Sequence, residues 1–403
     1  MIQSPVFWMV LFGSVVAFWL LPRRHRYWFL GTVSFAYVLS MDMFSGLMLT
    51  GWMVAFWALA PWVAQKNSRG KLALAVLLLG VLSYLAFFKY IPRLAQDFFP
   101  DSWFATIGLP LGISFLTFKL IHYIAEVRRG AITDRSFGKF FSYLFLFPIF
   151  TAGPIERYDH FLANLEDRPR RDDFVVGGTR IVHGLVKKFV LGDLLLLPLL
   201  SGLPNAGRLL ETLDTTDGYP EYKIWAWLVG SFLYGYLDFS GYSDIAIGCS
   251  RLFGIRIMEN FNWPLLAPNI GVFWQRWHMT LAGWCKSYVY LPVMGLTRSP
   301  WAAVYSTFLI MGLWHGGSLN WVMWGLYNAT GVMTYLLWAN WLRKKRIRMP
   351  SRGPFKYWGV PVTFTFACGM AAFPLTDGLG GWSALRVLAK CFWIDLPALP
   401  GLL

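Results

Sequence analysis

Charged side chains are scarce in this chain. Asp, Glu, Lys and Arg make up 14% of the 403 residues, whereas 56% of the residues are hydrophobic. A single soluble core could not bury that much apolar surface, so the composition excludes an ordinary soluble domain and predicts an all-α, polytopic membrane protein. The 22 Trp and 18 Tyr suit the two membrane interfaces, where an apolar ring body ends in a polar tip.

Acidic residues are fewer than basic ones. The chain has 21 Asp and Glu against 36 Lys and Arg, for a net charge of +15. The basic residues lie in short runs between apolar segments, as at Arg23–Arg26 and Arg343–Arg352, which is the distribution that the positive-inside rule produces. No basic domain separates from the apolar segments, so we expect membrane lipids as partners and no nucleic acid.

Cysteine is also rare. The four cysteines show no CxxC spacing and lie in or beside apolar stretches, so they predict neither a disulfide framework nor a metal site. The chain has no P-loop and no GxGxxG motif, and we expect no bound cofactor. Gly241–Ile245 begins like the GxSxG elbow of soluble hydrolases but lacks the closing glycine, which excludes that class.

The order of apolar segments and basic runs predicts a topology. With the basic runs in the cytoplasm, the chain has about 10 to 12 transmembrane helices. The first, Pro5–Leu21, is expected to be a retained span, since its basic residues follow the apolar run. Leu47–Val63 and Ile224–Phe239 are further expected spans, and from Gly241 onward the sequence is too polar for a simple span. Tyr90–Trp103, with two prolines, is expected to be an outer loop.

One apolar segment is too short to cross the membrane. Phe140–Ala152 has roughly 13 residues where a helical span needs about 20, so we expect a re-entrant segment that faces a cavity. Residues 1–403 are then one integral-membrane domain, in which re-entrant helices enclose a central tunnel.

Polar residues cluster at bilayer depth in three motifs, namely DFSGYSD from Asp238, NFNWP from Asn260 and FWQRWHMTL from Phe273. So many ionisable and amide groups are tolerated only around a hydrated path or a reactive site. Spacings of three and four predict one helix over Phe273–Trp284, with His278 on an aromatic face.

A single ionisable residue interrupts the apolar segment Thr307–Leu326. His315 lies between a tryptophan and two glycines, where the expected helices Ala302–Leu313 and Leu319–Leu342 meet. The glycines permit close approach of the backbone. A titratable imidazole in hydrocarbon is costly, so His315 is the first candidate for a functional residue.

Together these motifs resemble the membrane-bound O-acyltransferase (MBOAT) family. The resemblance covers roughly Leu109–Gly331 and is carried by PLGISFLTF, FTAGPIERYDHF, FSGYSDIAIG, ENFNWP, FWQRWHMTL and GLWHGGSLNWVMWGLYN. It is closest to the bacterial branch of alginate O-acetylation and teichoic-acid D-alanylation. It implies that His315 is the family's catalytic histidine and His278 its second polar position. Lys286 and Ser287 depart from the family's WxRDYxYxP pattern.

The resemblance implies a multi-pass O-acyltransferase of the cell inner membrane. It would move an acyl group, acetyl in the first instance, from a cytoplasmic thioester donor to a hydroxyl of a cell-envelope or secreted polysaccharide. The donor would be acetyl-CoA or an acyl-carrier protein. Members of this branch commonly work with an extracytoplasmic acyltransferase or esterase-like partner that completes the transfer, and we expect one here.

Transfer from a thioester to a hydroxyl needs a base near pH 7, so His315 is predicted to be the general base. His278 is predicted either to stabilise charge on the thioester oxygen or to have a structural role. Arg276 would meet an anionic donor phosphate or a lipid headgroup. The other candidates for a donor tunnel are Trp274, Trp277, Trp314, Asp238, Tyr242, Asp244 and Asn320. Of these, the two aspartates and the tyrosine are expected to hold helices together rather than to do chemistry.

Two alternatives remain at this point. One keeps the mechanism and changes the donor: D-alanyl transfer from a carrier protein to teichoic acid. The other is a non-enzymatic transporter or scaffold for a lipid-linked glycan, in which the polar motifs line the substrate path and His315 relays protons.

Overall fold

The computed structural model of the chain describes residues 2–203, 206–213, 220–347 and 357–397. Helices form all the regular structure in these ranges, where the β-type pairing is confined to an isolated bridge between Leu165 and Ile255. The helices are α1 (Pro5–Leu20), α2 (Arg23–Met41), α3 (Met43–Ala64), α4 (Ser68–Phe98), α5 (Ile113–Arg129), α6 (Phe137–Phe145), α7 (Tyr158–Ala163), α8 (Arg171–Leu185), α9 (Leu197–Ser201), α10 (Ala206–Leu213), α11 (Glu221–Leu252), α12 (Ile270–Arg276), α13 (Met279–Cys285), α14 (Leu291–Thr297), α15 (Pro300–His315), α16 (Leu319–Lys344), α17 (Gly359–Gly369), α18 (Ala372–Leu375) and α19 (Gly381–Lys390). Turns of π-helix at Val186–Leu196 and Lys286–Tyr290 connect α8 to α9 and α13 to α14. The predicted all-α fold class is confirmed.

Three helical stretches of the described residues are long and apolar enough to cross a membrane: Met43–Ala64, Ser68–Gln96 and Arg171–Glu211. Pro5–Leu20 and Gly359–Leu375 are shorter apolar helices. Large apolar side chains on α3 and α4 are exposed, which suits a lipid environment. The total of about 10 to 12 spans, and the tunnel they would enclose, stay predictions.

The chain divides into two compact units. The first contains Met1–Leu185 and Gly241–Glu259, and the second contains Val186–Ser240 and Asn260–Leu403. Two of the three boundaries fall inside continuous helical stretches, at the end of α8 and within α11, and the third lies between α11 and α12. The expectation of one domain over residues 1–403 stays a prediction, and each unit is described by itself below.

In the first unit, the segment predicted to be re-entrant is short and interrupted. α6 ends at Phe145, a single 3-10 turn covers Phe147–Ile149, and all the residues from Phe140 to Ile149 are buried. The ammonium of Lys119, 2% exposed, donates to the carbonyl oxygens of Tyr143 at 2.9 Å and Leu144 at 3.5 Å. A helix that stops inside the protein leaves its last carbonyl oxygens without hydrogen-bond donors. Here the buried ammonium of Lys119 is the donor.

The loop after this segment is anchored by a buried carboxylate. Glu156 is fully buried and accepts hydrogen bonds from the backbone N–H of Met258 at 2.7 Å and from Nδ1 of His160 at 2.6 Å. The hydrogen bond with Glu156 raises the pKa of His160 above its usual value of 6.5. Glu156 thereby joins two separate stretches of the first unit.

Two predicted boundaries are wrong. The expected outer loop Tyr90–Trp103 is helical as far as Phe98, because α4 continues through Pro92. A proline removes one backbone hydrogen bond, and a long apolar helix tolerates that loss. α11 also continues past Gly241 to Leu252, so the polar DFSGYSD motif lies on a helix.

The second unit contains the predicted helix pair around His315. α15 ends at His315 and α16 begins at Leu319, so the histidine lies at the turn between them. The two helices approach closely at glycines. A Cβ atom on Gly312 would lie 2.2 Å from the carbonyl oxygen of Trp321, and one on Gly325 would lie 2.6 Å from that of Phe308. Small residues at a helix crossing allow this backbone contact.

Candidate active site

The imidazole of His315 is half-buried and is surrounded by three indole rings of the second unit. Trp321 stacks on it, with ring centroids 4.8 Å apart and an interplanar angle of 16°. Trp324 and Trp314 meet it at steeper angles, at 5.3 and 4.7 Å. The histidine therefore has a defined orientation without being sealed from its surroundings.

The first turn of α16 is fixed from the other side by residues of and just after α18. Trp321 Nε1 donates to the carboxylate of Asp377 at 3.1 Å. The amide nitrogen of Asn320, 2% exposed, donates to the carbonyl oxygen of Phe373 and to Oγ1 of Thr376, both at 3.0 Å. Asn320 thus anchors the turn that follows His315.

His278 lies at a break between helices, so the prediction of one helix over Phe273–Trp284 is wrong. α12 ends at Arg276 and α13 starts at Met279. Between them, His278 adopts a left-handed backbone conformation, with φ 44° and ψ 52°. This conformation is costly for a residue with a side chain and persists only where its surroundings enforce it.

The His278 ring is 4% exposed and has polar and aromatic neighbours. Its Nδ1 lies 3.0 Å from Oδ1 of Asn260, and the ring of Phe239 packs edge-on against it with a centroid distance of 4.7 Å. Its centroid is 6.3 Å from that of Trp314. Trp314 is therefore a neighbour of both candidate histidines, which belong to one site in the second unit.

The other residues of the RWH motif differ in their surroundings. Trp277 stacks on Phe232 and on Phe273, with centroid distances of 5.2 and 5.5 Å, so its ring is part of an aromatic cluster. The guanidinium of Arg276 is half-buried and reaches the carbonyl oxygen of Leu266 at 3.5 Å. Contact of Arg276 with a donor phosphate stays a prediction.

The polar residues of α11 pair with basic or hydroxyl side chains. In the second unit Asp238 forms an ion pair with Lys188. In the first unit Asp244 lies 3.1 Å from Arg180, and the hydroxyl of Tyr242 lies 3.1 Å from that of Thr151. Such contacts join α11 to other parts of its units. A part for these three in a donor tunnel stays a prediction.

Several residues around the two histidines were not predicted from the sequence. Trp321 and Trp324 follow His315 at a spacing that puts both on one face of the first turns of α16, a signal that was available. Asp377 lies too far along the chain for spacing to indicate it. Asn260 stood in a quoted motif, but nothing local links it to His278. Among the described residues, no group of three or more His, Cys, Asp or Glu could hold a metal ion.

Trp274 carries an unusual donor. Its side chain is 9% exposed and packs against Phe308 and Trp324, with centroid distances of 5.1 and 5.9 Å. Within the described part of the chain, its buried indole N–H has no hydrogen-bond partner. Leaving a donor unpaired costs about 1–3 kcal/mol, so we expect its partner to arrive with the substrate.

If that N–H donates to a substrate oxygen, Trp274→Phe should lower the protein's turnover in the expected acyl transfer by on the order of 10²-fold. The melting temperature should change little. The matched control is Trp225→Phe, because the indole N–H of Trp225 already donates to the carbonyl oxygen of Cys391 at 3.1 Å. The control should lose stability and keep its turnover. Equal turnover in Trp274→Phe and the wild type would show that this donor has no role in catalysis.

Comparison with known proteins places the chain in a family. Residues 52–372 match the model of the MBOAT, membrane-bound O-acyltransferase family, a longer stretch than the motifs indicated. The chain is 32% identical over 334 residues to "Probable alginate O-acetylase AlgI" of Azotobacter vinelandii, covering 78% of this chain and 64% of that protein. For the protein of the same name from Pseudomonas aeruginosa the identity is 34%, over 64% of this chain and 51% of the relative.

A second group of relatives carries another name. "Teichoic acid D-alanyltransferase" of Bacillus subtilis is 30% identical over 275 residues, covering 64% of this chain and 66% of that protein. The chain spans about half to two thirds of the length of these curated relatives. The family model nevertheless matches most of it, across both candidate histidines. The chain belongs to the membrane-bound O-acyltransferase family.

Proposed function

We propose that this protein is an O-acyltransferase of the inner membrane in which His315 is the general base. The observation that carries the proposal is the half-buried imidazole at the turn between α15 and α16, oriented by Trp321 and Trp324 in a chain of this family. Placing a titratable ring at membrane depth costs free energy, so its presence there indicates a functional role.

The reaction would join a hydroxyl to an acyl thioester. The hydroxyl oxygen bonds to the thioester carbonyl carbon while its proton passes to the neutral ring of His315. Collapse of the tetrahedral intermediate breaks the carbon–sulfur bond. The departing thiolate then takes the proton from the imidazolium, which leaves an ester, a free thiol and a neutral histidine.

The names of the relatives indicate which acyl group this protein would transfer and which acceptor would receive it. Two of the proteins compared above carry the name "Probable alginate O-acetylase AlgI", at 32% and 34% identity, which favours an acetyl group and a hydroxyl of a cell-envelope or secreted polysaccharide. The donor would be acetyl-CoA or an acyl-carrier protein on the cytoplasmic side, where the basic runs are expected. An extracytoplasmic acyltransferase or esterase-like partner would complete the transfer.

The second candidate is D-alanyl transfer from a carrier protein to teichoic acid, and the match to the B. subtilis D-alanyltransferase favours it. The chemistry at His315 would be unchanged, because a D-alanyl carrier thioester presents the same carbonyl and the same thiol leaving group. The two candidates therefore differ in the donor and the acceptor, and not in the base.

A donor assay separates these candidates. The full-length protein in liposomes is offered radiolabelled acetyl-CoA, acetyl-carrier protein or D-alanyl-carrier protein, with deacetylated alginate or teichoic acid as the acceptor, and thiol release and labelled ester are measured. We expect protein-dependent release from an acetyl donor. Release from the D-alanyl carrier alone would replace the first candidate by the second. Glycan movement with no thiol release from any donor would contradict both and support a transporter.

A further inference from the structure

Asn260 is the polar centre of the break between α12 and α13. Its side chain is fully buried, and three hydrogen bonds converge on its Oδ1. The hydroxyl of Thr280 lies at 2.8 Å, Nδ1 of His278 at 3.0 Å and the backbone N–H of Thr280 at 3.4 Å. Thr280 is also buried, with 1% exposure. Water therefore does not compete for these contacts, and each one constrains the groups that make it.

The chemistry of these donors determines which amide atom faces the imidazole. A backbone N–H can only donate, so the atom that it meets must be the oxygen of Asn260 and not the amide nitrogen. An amide oxygen cannot donate, so the hydrogen between Asn260 and His278 belongs to Nδ1. A neutral imidazole has one N–H, and Nε2 of His278 is then left with a lone pair.

The backbone around His278 is held by the same segment. The carbonyl oxygen of Asn260 accepts from the N–H of Met279 at 2.8 Å, and the N–H of Asn262 donates to the carbonyl oxygen of Arg276 at 2.9 Å. These contacts use an N–H group at the start of α13 and a carbonyl at the end of α12, groups that a helix terminus leaves open. The left-handed conformation of His278 is thus fixed on both flanks.

We propose that Asn260 is a positioning residue that holds His278 as the Nδ1–H tautomer, so that Nε2 accepts a hydrogen bond from an acceptor hydroxyl next to the one that attacks the thioester. This inference rests on the acyl-transfer function proposed above. It also excludes one predicted role of His278, the stabilisation of charge on the thioester oxygen. A neutral ring in this tautomer has no hydrogen at Nε2 to donate to that oxygen. His278 would then orient the acceptor through this neighbouring hydroxyl, while His315 removes the proton of the attacking one.

Three substitutions test the role of Asn260. Asn260→Leu keeps the approximate volume and removes the acceptor, and it should lower turnover by on the order of 10²-fold, because the imidazole is then free to adopt the wrong tautomer. Asn260→Asp keeps an oxygen at the same place and should retain turnover within about tenfold of the wild type. The matched control is Thr280→Val, which removes another hydrogen bond to the same oxygen without touching the imidazole, and it should stay near the wild type.

A double substitution separates positioning from simple stability. If Asn260 acts through His278, Asn260→Leu should have no further effect on turnover in a His278→Ala background. Melting temperatures of all variants show which of them remain folded. The proposal is overturned if Asn260→Leu multiplies the defect of His278→Ala, or if Thr280→Val is as defective as Asn260→Leu in protein of equal stability.

A spectroscopic measurement keeps this inference distinct from the proposed function. Nitrogen-15 spectra of the full-length protein labelled at histidine report which ring nitrogen carries the hydrogen, and the His278 signal is assigned by its loss in His278→Ala. We expect an Nδ1–H signal in the wild type and in Asn260→Asp, and its shift or loss in Asn260→Leu. An Nε2–H signal in the wild type overturns the tautomer assignment. The Nδ1–H signal in a protein that transfers no acyl group would leave the assignment standing and reject the function.

Discussion

Replacing His315 by alanine is expected to lower acyl transfer by about 10²- to 10⁴-fold, the range that a positioned general base contributes. The hydroxyl would then have to lose its proton to a water molecule or to the donor. The fold should survive, because the ring is half-buried and its removal costs chiefly the stacking on Trp321, about 0.5–1.5 kcal/mol. The measurement is thiol release by purified protein in liposomes, together with the melting temperature.

The control for this prediction is another histidine of the same chain. His183 on α8 is exposed, and His183→Ala should leave both transfer and stability unchanged. Full activity of a folded His315→Ala variant would contradict the proposal that His315 is the base. Loss of glycan movement in His315→Ala, in a protein whose wild type releases no thiol from any donor, would instead support the transporter alternative.

A second large effect is expected for Gly312→Ala. The added Cβ would lie 2.2 Å from the carbonyl oxygen of Trp321, and a backbone atom cannot turn aside as a flexible side chain can. α15 and α16 would have to separate, and overpacking of this kind costs about 1–3 kcal/mol or more. The first turns of α16 carry Trp321 and Trp324, so the separation should also displace the rings that orient His315 and lower transfer by on the order of tenfold or more.

The matched control is Gly295→Ala in α14. Gly295 also lies within a helix of the second unit, and a Cβ there would meet nothing within 4 Å. Alanine favours a helix over glycine by roughly 0.5–1 kcal/mol, so the control should be as stable as the wild type or more stable. Thermal unfolding in detergent and thiol release measure the two effects. A Gly312→Ala variant with the melting temperature of the wild type would contradict the close helix contact.

The turn at His315 was predictable because its signals are local. A lone histidine beside two glycines in an apolar segment indicates both the break and the cost of the ring. The left-handed break at His278 was not predictable, because helical spacing continues through FWQRWHMTL. The residue that fixes the break, Asn260, lies 18 positions earlier in the chain. Hydrogen bonds to a distant segment override the local helical pattern there.

The ends of the helices show the same difference between local signals and contacts with distant residues. Long apolar runs such as α3 were predicted nearly to their ends, and the side chain of Asp42 caps α3 by accepting from the N–H of Ser45 at 3.2 Å. The polar part of α11 was predicted to interrupt a span, because sequence alone does not show that Asp238 has its partner in Lys188, 50 positions away. Once its charges are paired, a helix can carry such a motif.

The contact between Trp321 and Asp377 places part of the control over His315 outside the region that defines the family. The matched region ends at residue 372, whereas the carboxylate that holds the stacked indole comes five positions later. Two relatives with the same WHGG sequence can therefore present the imidazole at different angles if they differ after α18. Variation in this short distal stretch offers a route to altered reactivity that leaves every signature motif intact.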